Sequence, residues 1–98
     1  MIGKDALYRC VAMVRSPYMG KLEDELLLVQ AREALRTGEA VQLRKRLALS
    51  QEEVALLAKI SRPTVVRYEA KDREPTGVAG LRYAETLVRL GLKLRELA

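Results

Sequence analysis

Two helix starts lie only eleven residues apart in the middle of the chain, at Ser50 and Ser61. The hydroxyl of Ser50 can accept from an unpaired N–H of the first turn, and Glu53, three residues on, completes the pattern of a capping box. Pro63 falls in the first turn after Ser61, where its missing N–H costs no hydrogen bond. This spacing predicts two short helices joined by a tight turn, which must therefore cross steeply.

The apolar residues of this region predict which sides of the two helices face the core. The first helix, from about Gln51, has Ala55 at its centre, a side chain small enough for another helix backbone to come close. Helical spacing predicts burial of Leu43, Leu47, Leu49, Val54, Leu57, Ile60, Val65 and Tyr68. A steeply crossed pair of this kind lets one helix lie in the major groove of DNA while the other crosses the backbone.

The ordered set of residues resembles the helix-turn-helix of the lambda-repressor-like Cro/C1 (xenobiotic-response-element) transcription regulators. The matching residues are Leu49, Ser50, Gln51, Ala55, Ile60, Val65 and Glu69, with Gly38, Glu39, Leu43 and Arg44 before them and Arg73, Glu74, Pro75 and Thr76 after them. The resemblance covers roughly residues 37–91. It implies an all-α fold, a lambda-repressor-like helix-turn-helix bundle with additional N-terminal helices.

The sequence departs from the family pattern at two places. Lys59 occupies the tight turn, where the family usually has glycine, so we expect a left-handed backbone there at some energetic cost. The segment from Thr76 to Gly80 carries two extra glycines, Gly77 and Gly80. They leave open whether the last helix starts at Val78 or at Leu81. This helix is predicted to end at Leu90.

The resemblance implies a role for each residue at the DNA-facing positions. Gln51 is expected to bind a phosphate oxygen at the start of its helix, where backbone N–H groups and the helix dipole attract anions. Arginine side chains of the second helix can donate to guanine or to a phosphate, and a threonine methyl can touch thymine. The candidate DNA-binding residues are Gln51, Ser61, Arg62, Pro63, Thr64, Val66, Arg67, Lys71 and Arg73.

Three of these positions have a narrower or an open interpretation. Val66 is either a thymine-methyl contact or a partly exposed packing residue. Lys71 and Arg73 follow the second helix and are candidates for contacts to the DNA backbone. The family also commonly pairs the positions of Arg44 and Glu69, so we expect a structural ion pair whose rupture is costly because it strands a charge.

The rest of the chain divides into segments around this domain. Residues 1–36 are predicted to be an N-terminal helical extension, residues 37–91 the DNA-binding domain, and residues 92–98 a tail or a continuation of the last helix. Within the extension we expect a helix over residues 4–15, with a strand as the alternative, and a second helix over residues 21–36. The first helix of the domain is predicted over residues 38–47.

Composition points away from catalysis and from a membrane. The chain has no His and one Cys, Cys10, and it shows neither a glycine-rich phosphate loop nor a metal-ligand cluster, so we expect no enzyme and no cofactor. No apolar run approaches a membrane span, and a cytoplasmic location is expected. Residues 1–37 carry six basic and five acidic side chains, whereas residues 38–98 carry twelve and eight, so the basic excess lies in the predicted DNA-binding half.

These observations predict a repressor that binds a near-palindromic site in double-stranded DNA as a homodimer. One alternative is an antitoxin whose residues 1–36 bind a toxin partner. Another is a protein-interaction module that does not bind DNA and uses the leucine-rich surface of residues 21–36. The predicted dimer contact is a stripe of Leu87, Leu90, Leu94 and Leu97, with Leu22, Leu26 and Val29 as the rival surface. Alternatively, Leu87 and Leu90 close the domain core, and Leu94 and Leu97 pack back onto the helix of residues 22–35.

Overall fold

Five α-helices make up residues 21–97, the part of the chain described by this computed structural model. They are α1 (Lys21–Thr37), α2 (Glu39–Arg46), α3 (Gln51–Ala58), α4 (Arg62–Glu69) and α5 (Gly77–Leu97). No strand occurs between residues 21 and 97, and the predicted all-α helix-turn-helix bundle is confirmed. The helix or strand expected over residues 4–15, with Cys10, lies outside the described residues.

Capping side chains start α3 and α4 at the predicted residues. The Ser50 hydroxyl accepts from the Glu53 N–H at 3.0 Å, and the Ser50 N–H donates to the Glu53 carboxylate at 2.8 Å. The Ser61 hydroxyl accepts from the Thr64 N–H at 3.3 Å, with Pro63 in the first turn of α4. Each cap therefore satisfies one of the N–H groups that lack a partner in the first turn of its helix.

The turn between α3 and α4 contains the left-handed residue expected from the sequence. Lys59 ends α3 with φ 59° and ψ 43°. Its backbone N–H still bonds carbonyl groups of α3, and its own carbonyl accepts from the Arg82 guanidinium at 3.3 Å. The turn is thus held in place by a side chain of α5. A residue with a side chain at this φ has a conformational energy cost that glycine avoids.

The helix α1 shares one hydrophobic core with the rest of the bundle. The buried cluster comprises Leu27, Ala31, Leu35, Ala40, Val54, Ala55, Val65, Tyr68, Tyr83, Ala84, Leu87, Val88 and Leu90. A Cβ atom added at Gly80 would lie 2.6 Å from the carbonyl carbon of Pro75 and 2.9 Å from a methyl group of Leu28. Only glycine lets α1, α5 and the preceding segment pack this closely. The domain boundary after residue 36 stays a prediction, but α1 packs as part of the bundle.

The prediction that Leu57 is buried is wrong. Its side chain is 53% exposed, whereas Val54, Ala55 and Ala58 are buried. These three residues define a narrow inward face of small side chains, and Leu57 lies beyond its edge because consecutive helical residues are about 100° apart. The predicted core positions Leu43, Leu47, Leu49 and Ile60 are partly buried and pack against the core.

The last helix takes the longer of the two extents that the sequence left open, and this changes the interpretation of its leucines. It begins at Gly77 and continues without a break through Gly91 to Leu97. Leu87 and Leu90 are buried in the core, Leu94 is half-buried, and Leu97 is exposed. The predicted dimer stripe therefore does not exist as a continuous free surface, since two of its four residues already have neighbours within the bundle.

We expect Lys59→Gly to stabilise the protein by up to about 1 kcal/mol, because glycine adopts the left-handed conformation without steric cost. Lys93→Gly is the matched control, since the same change in a regular turn of α5 should destabilise by about 1 kcal/mol. Denaturant unfolding measures both changes. Equal destabilisation by the two substitutions would contradict the strain assigned to Lys59.

Candidate nucleic-acid interface

The helix α4 has one buried side and one open side. Val65 and Tyr68 are buried, and the Tyr68 ring packs against Tyr83 with ring centroids 5.0 Å apart and an angle of 51° between the planes. Burial raises the pKa of both phenols, with Arg73 opposing the shift at Tyr68, so both rings remain neutral at ordinary pH. This apolar anchoring fixes which side chains of α4 face solvent.

The open side of α4 presents two arginines. Arg62, Pro63 and Arg67 are exposed, and the half-buried Val66 lies between them along the helix. Thr64 lies closer to the bundle than the predicted outward position, because it is half-buried and its hydroxyl is 2.7 Å from that of Ser61. The hydrogen-bonding groups on this side are therefore mainly guanidinium groups, which suit guanine edges and phosphates.

A polar depression of about 610 Å³ joins the starts of α3 and α4. It is lined by Arg44, Ser50, Gln51, Glu52 and Arg62. The first backbone N–H groups of α3 lie at this depression, and helix N-termini carry a partial positive charge. Arg62 and the helix start attract an anion such as a backbone phosphate to this concave surface, whereas the carboxylate of Glu52 opposes it.

Arg44 and Glu69 form a bidentate ion pair between α2 and the end of α4. Arg44 Nε donates to Glu69 Oε2 at 2.8 Å, and Arg44 Nη2 donates to Glu69 Oε1 at 2.9 Å. The remaining guanidinium nitrogen, Nη1, donates to the Leu49 carbonyl at 2.9 Å. Both side chains are largely shielded from solvent, so the pair is stronger and geometrically stricter than a surface ion pair.

Gln51 belongs to the same hydrogen-bond network. Its amide nitrogen donates to Glu69 Oε1 at 3.0 Å, which orients the side chain at the start of α3. An amide nitrogen carries two hydrogens, so one donor remains beyond the bond to Glu69. Gln51, the predicted phosphate-binding residue, is thus positioned by the predicted ion pair of Arg44 and Glu69. The sequence did not indicate this connection.

The two cations after α4 occupy different settings. Lys71 is left-handed at φ 64°, and its ammonium donates to the Arg36 carbonyl at the end of α1 at 3.3 Å. Arg73 is exposed and near Tyr68. The structure therefore gives Lys71 a role in holding α1, whereas Arg73 has the more open position for contact with a ligand.

The structure adds three residues that the sequence analysis did not place at this surface. Arg44, Ser50 and Glu52 line the depression beside Gln51. The capping pattern identified Ser50 only as the start of a helix. Its position at the surface follows from the crossing of α3 and α4, which the cap itself does not encode.

Neither a metal site nor a membrane span is found in the described part of the chain. Residues 21–97 contain no group of three His, Cys, Asp or Glu side chains that could hold a metal ion. None of the five helices has both the length and the apolar character needed to cross a bilayer.

Comparison with protein families gives one match to this region. Residues 42–88 match the family model described as Helix-turn-helix. The matched segment runs from within α2 into α5 and includes the whole of α3 and α4, whereas α1 precedes it. Comparison with curated proteins and with solved structures gives no significant match.

We expect Arg44→Ala and Glu69→Ala each to destabilise by about 3–5 kcal/mol, because each leaves a shielded charge without its partner. The double variant should lose less than the sum, by about 1–3 kcal/mol. Thermal and denaturant unfolding of the four proteins measures this coupling. The exposed pair of Arg36 and Glu33 is the control, and its double-mutant cycle should be additive. Additive losses at Arg44 and Glu69 would show that their contact contributes nothing to stability.

Proposed function

We propose, from the match of residues 42–88 to the Cro/C1-type helix-turn-helix family, that the protein is a sequence-specific regulator of transcription that binds double-stranded DNA. The observation that carries the proposal is the open side of α4 beside the depression at the start of α3. Exposed guanidinium groups lie on one element, and the anion-binding helix start lies on the next. One surface of the protein then supplies contacts both to the DNA groove and to the DNA backbone.

In the proposed complex, α4 enters the major groove and α3 crosses the backbone. Arg62 and Arg67 donate to base edges or to flanking phosphates, and Pro63 and Val66 supply apolar contact. A phosphate occupies the depression, where it receives the free amide hydrogen of Gln51 and the first N–H groups of α3. The bond from Gln51 to Glu69 then sets the distance between the backbone contact and α4.

Charge supports the same target. Residues 38–98 carry twelve basic and eight acidic side chains, so the domain attracts a polyanion. Such attraction is independent of base sequence and weakens as salt increases, because binding releases counterions from the DNA. Arg73 extends the positive surface beyond the end of α4 and is a further candidate for backbone contact.

A homodimer on a near-palindromic operator is the assembly that we propose. One eight-residue helix reads only a few base pairs, so a second copy is needed for a site of useful length. The described bundle measures 32 × 31 × 22 Å, comparable to the 34–36 Å between successive major grooves on one face of DNA. We propose repression, since a bound dimer occludes the promoter, and action in the cytoplasm without a cofactor or catalytic step.

A second candidate function is favoured by the outer side of α1. Leu22, Leu26 and Val29 are exposed there, as they would be on a surface that binds another protein. An antitoxin would use this surface for a toxin and α4 for its own promoter. An interaction module would use the surface without DNA. Co-purification of a second protein favours the antitoxin. The absence of salt-dependent heparin binding favours the interaction module.

Selection of bound sequences from random duplex DNA, followed by arginine substitution, tests the proposed function. We expect Arg62→Ala or Arg67→Ala to cost about 1–3 kcal/mol of binding free energy and to relax preference at one base pair. If either arginine binds a phosphate instead, its loss should weaken all sequences alike and lower the salt slope by about 1. Titration by fluorescence anisotropy at several salt concentrations separates these results.

Arg89→Ala is the matched control, because Arg89 is exposed on α5 outside the crossed pair of helices. It should leave affinity and sequence preference unchanged. Unfolding should show that none of the three substitutions alters stability appreciably. Unchanged binding of both α4 variants to the selected site would show that α4 does not contact the DNA.

A further inference from the structure

The outer side of α1 is an apolar surface without a partner in the described bundle. Leu22, Leu26 and Val29 are 67%, 44% and 51% exposed. They follow one another at intervals of four and three residues, so they form a single line along the helix. The opposite side of α1 contains its buried residues, Leu27, Leu28, Ala31 and Leu35. We call the line of Leu22, Leu26 and Val29 the α1 outer face.

Building on the dimer of the proposed function, we propose that the α1 outer face is the homodimer interface and that the two copies of α1 pair antiparallel. A two-fold dimer must use the same patch on both copies, so the patch has to complement itself. Leu26 and Val29, nearer the middle of α1, can do so by packing against the same two residues of the second copy.

The charges along α1 are arranged so that an antiparallel pair is complementary. The first two turns carry Glu23, Asp24 and Glu25 against Lys21, a net charge of −2, whereas the last two carry Arg32 and Arg36 against Glu33, a net charge of +1. A parallel pair would place acidic turns beside acidic turns. An antiparallel pair places the acidic end of each copy beside the basic end of the other, and it also opposes the two helix dipoles favourably.

The spacing of two charged residues fixes the register of this pair. Glu25 and Arg32 are seven residues apart, which is two helical turns, so they lie along the same edge of the α1 outer face. Within one chain they are separated by about 10 Å along the helix and cannot bond. A two-fold axis between them, close to Val29, brings Glu25 of each copy beside Arg32 of the other. Leu26 and Val29 then pack around the axis.

Contacts within the bundle leave these groups in position for such pairing. Glu25 is exposed, and Arg32 is half-buried with its Nε donating to the Pro75 carbonyl at 3.2 Å. This bond uses one guanidinium N–H and leaves the terminal nitrogens for another partner. Arg36 is paired with Glu33 in the same helix, which leaves Arg32 as the better partner for a second copy.

Charge reversal in the full chain tests the proposal, with mass measured by light scattering after size exclusion. Glu25→Arg and Arg32→Glu should each weaken dimerisation at least tenfold, because each places like charges opposite one another twice per dimer. The double variant should recover the dimer. An equal mixture of the two single variants should also recover it, since a mixed dimer has opposite charges at both contacts.

Two further variants guard against misinterpretation. Leu26→Glu removes apolar contact without changing either charged partner and should also give a monomer. Leu97→Glu is the matched control, because Leu97 is as exposed as Leu22 and lies at the end of α5; it should remain a dimer. Circular dichroism melting checks that each variant is folded, in particular Arg32→Glu, which also loses the bond to Pro75.

The outcomes separate this inference from the proposed function. A monomeric parent protein, or single variants that stay dimeric, would overturn the α1 interface. If Leu97→Glu were the only variant to give a monomer, the dimer interface would lie on α5 instead. Single variants that dissociate without recovery in the mixture would overturn the antiparallel register. In every case, anisotropy with a half-site duplex reports separately whether the parent and Arg62→Ala bind DNA.

Discussion

The ion pair of Arg44 and Glu69 is the interaction on which the proposed DNA-facing surface depends. It joins α2 to the last residue of α4 by two hydrogen bonds, and its third nitrogen holds the carbonyl of Leu49 just before α3. Gln51 is attached to the same carboxylate. Three helices and the segment that leads into α3 are therefore positioned by one guanidinium and one carboxylate. Because both groups are shielded from water, loosening either one disturbs every position that they hold together.

Local chemistry made some parts of this structure predictable from the sequence. The caps at Ser50 and Ser61 specify helix starts through hydrogen bonds to residues three positions away, and Lys59 had to become left-handed for so short a turn to close. Features that depend on distant neighbours were harder to infer. Leu57 has the spacing of a core residue but lies outside the inward face of α3, where Ala55 and Ala58 allow close helix contact.

The carboxyl end of the chain shows the same limit. The sequence left open whether residues 92–98 continue the last helix, and α5 does continue through Gly91, which is buried within the bundle. At the binding surface, the outward arginines followed from helical spacing, whereas Thr64 lies to one side and bonds Ser61. The link between Gln51 and Glu69 joins residues eighteen positions apart, and periodicity within a single helix gives no information about such a contact.

Two hydrogen bonds connect α1 to the segment that follows α4. Lys71 holds the carbonyl of Arg36, and Arg32 holds that of Pro75. In the proposed dimer, the path from one DNA-reading helix to the other would therefore pass through packed helices and bonded backbone, with no long flexible connection. One added base pair between half-sites moves them apart by about 3.4 Å and turns them by about 35°. A rigid connection cannot absorb that rotation, so this regulator would measure the length of its operator's spacer as strictly as it reads the bases on either side.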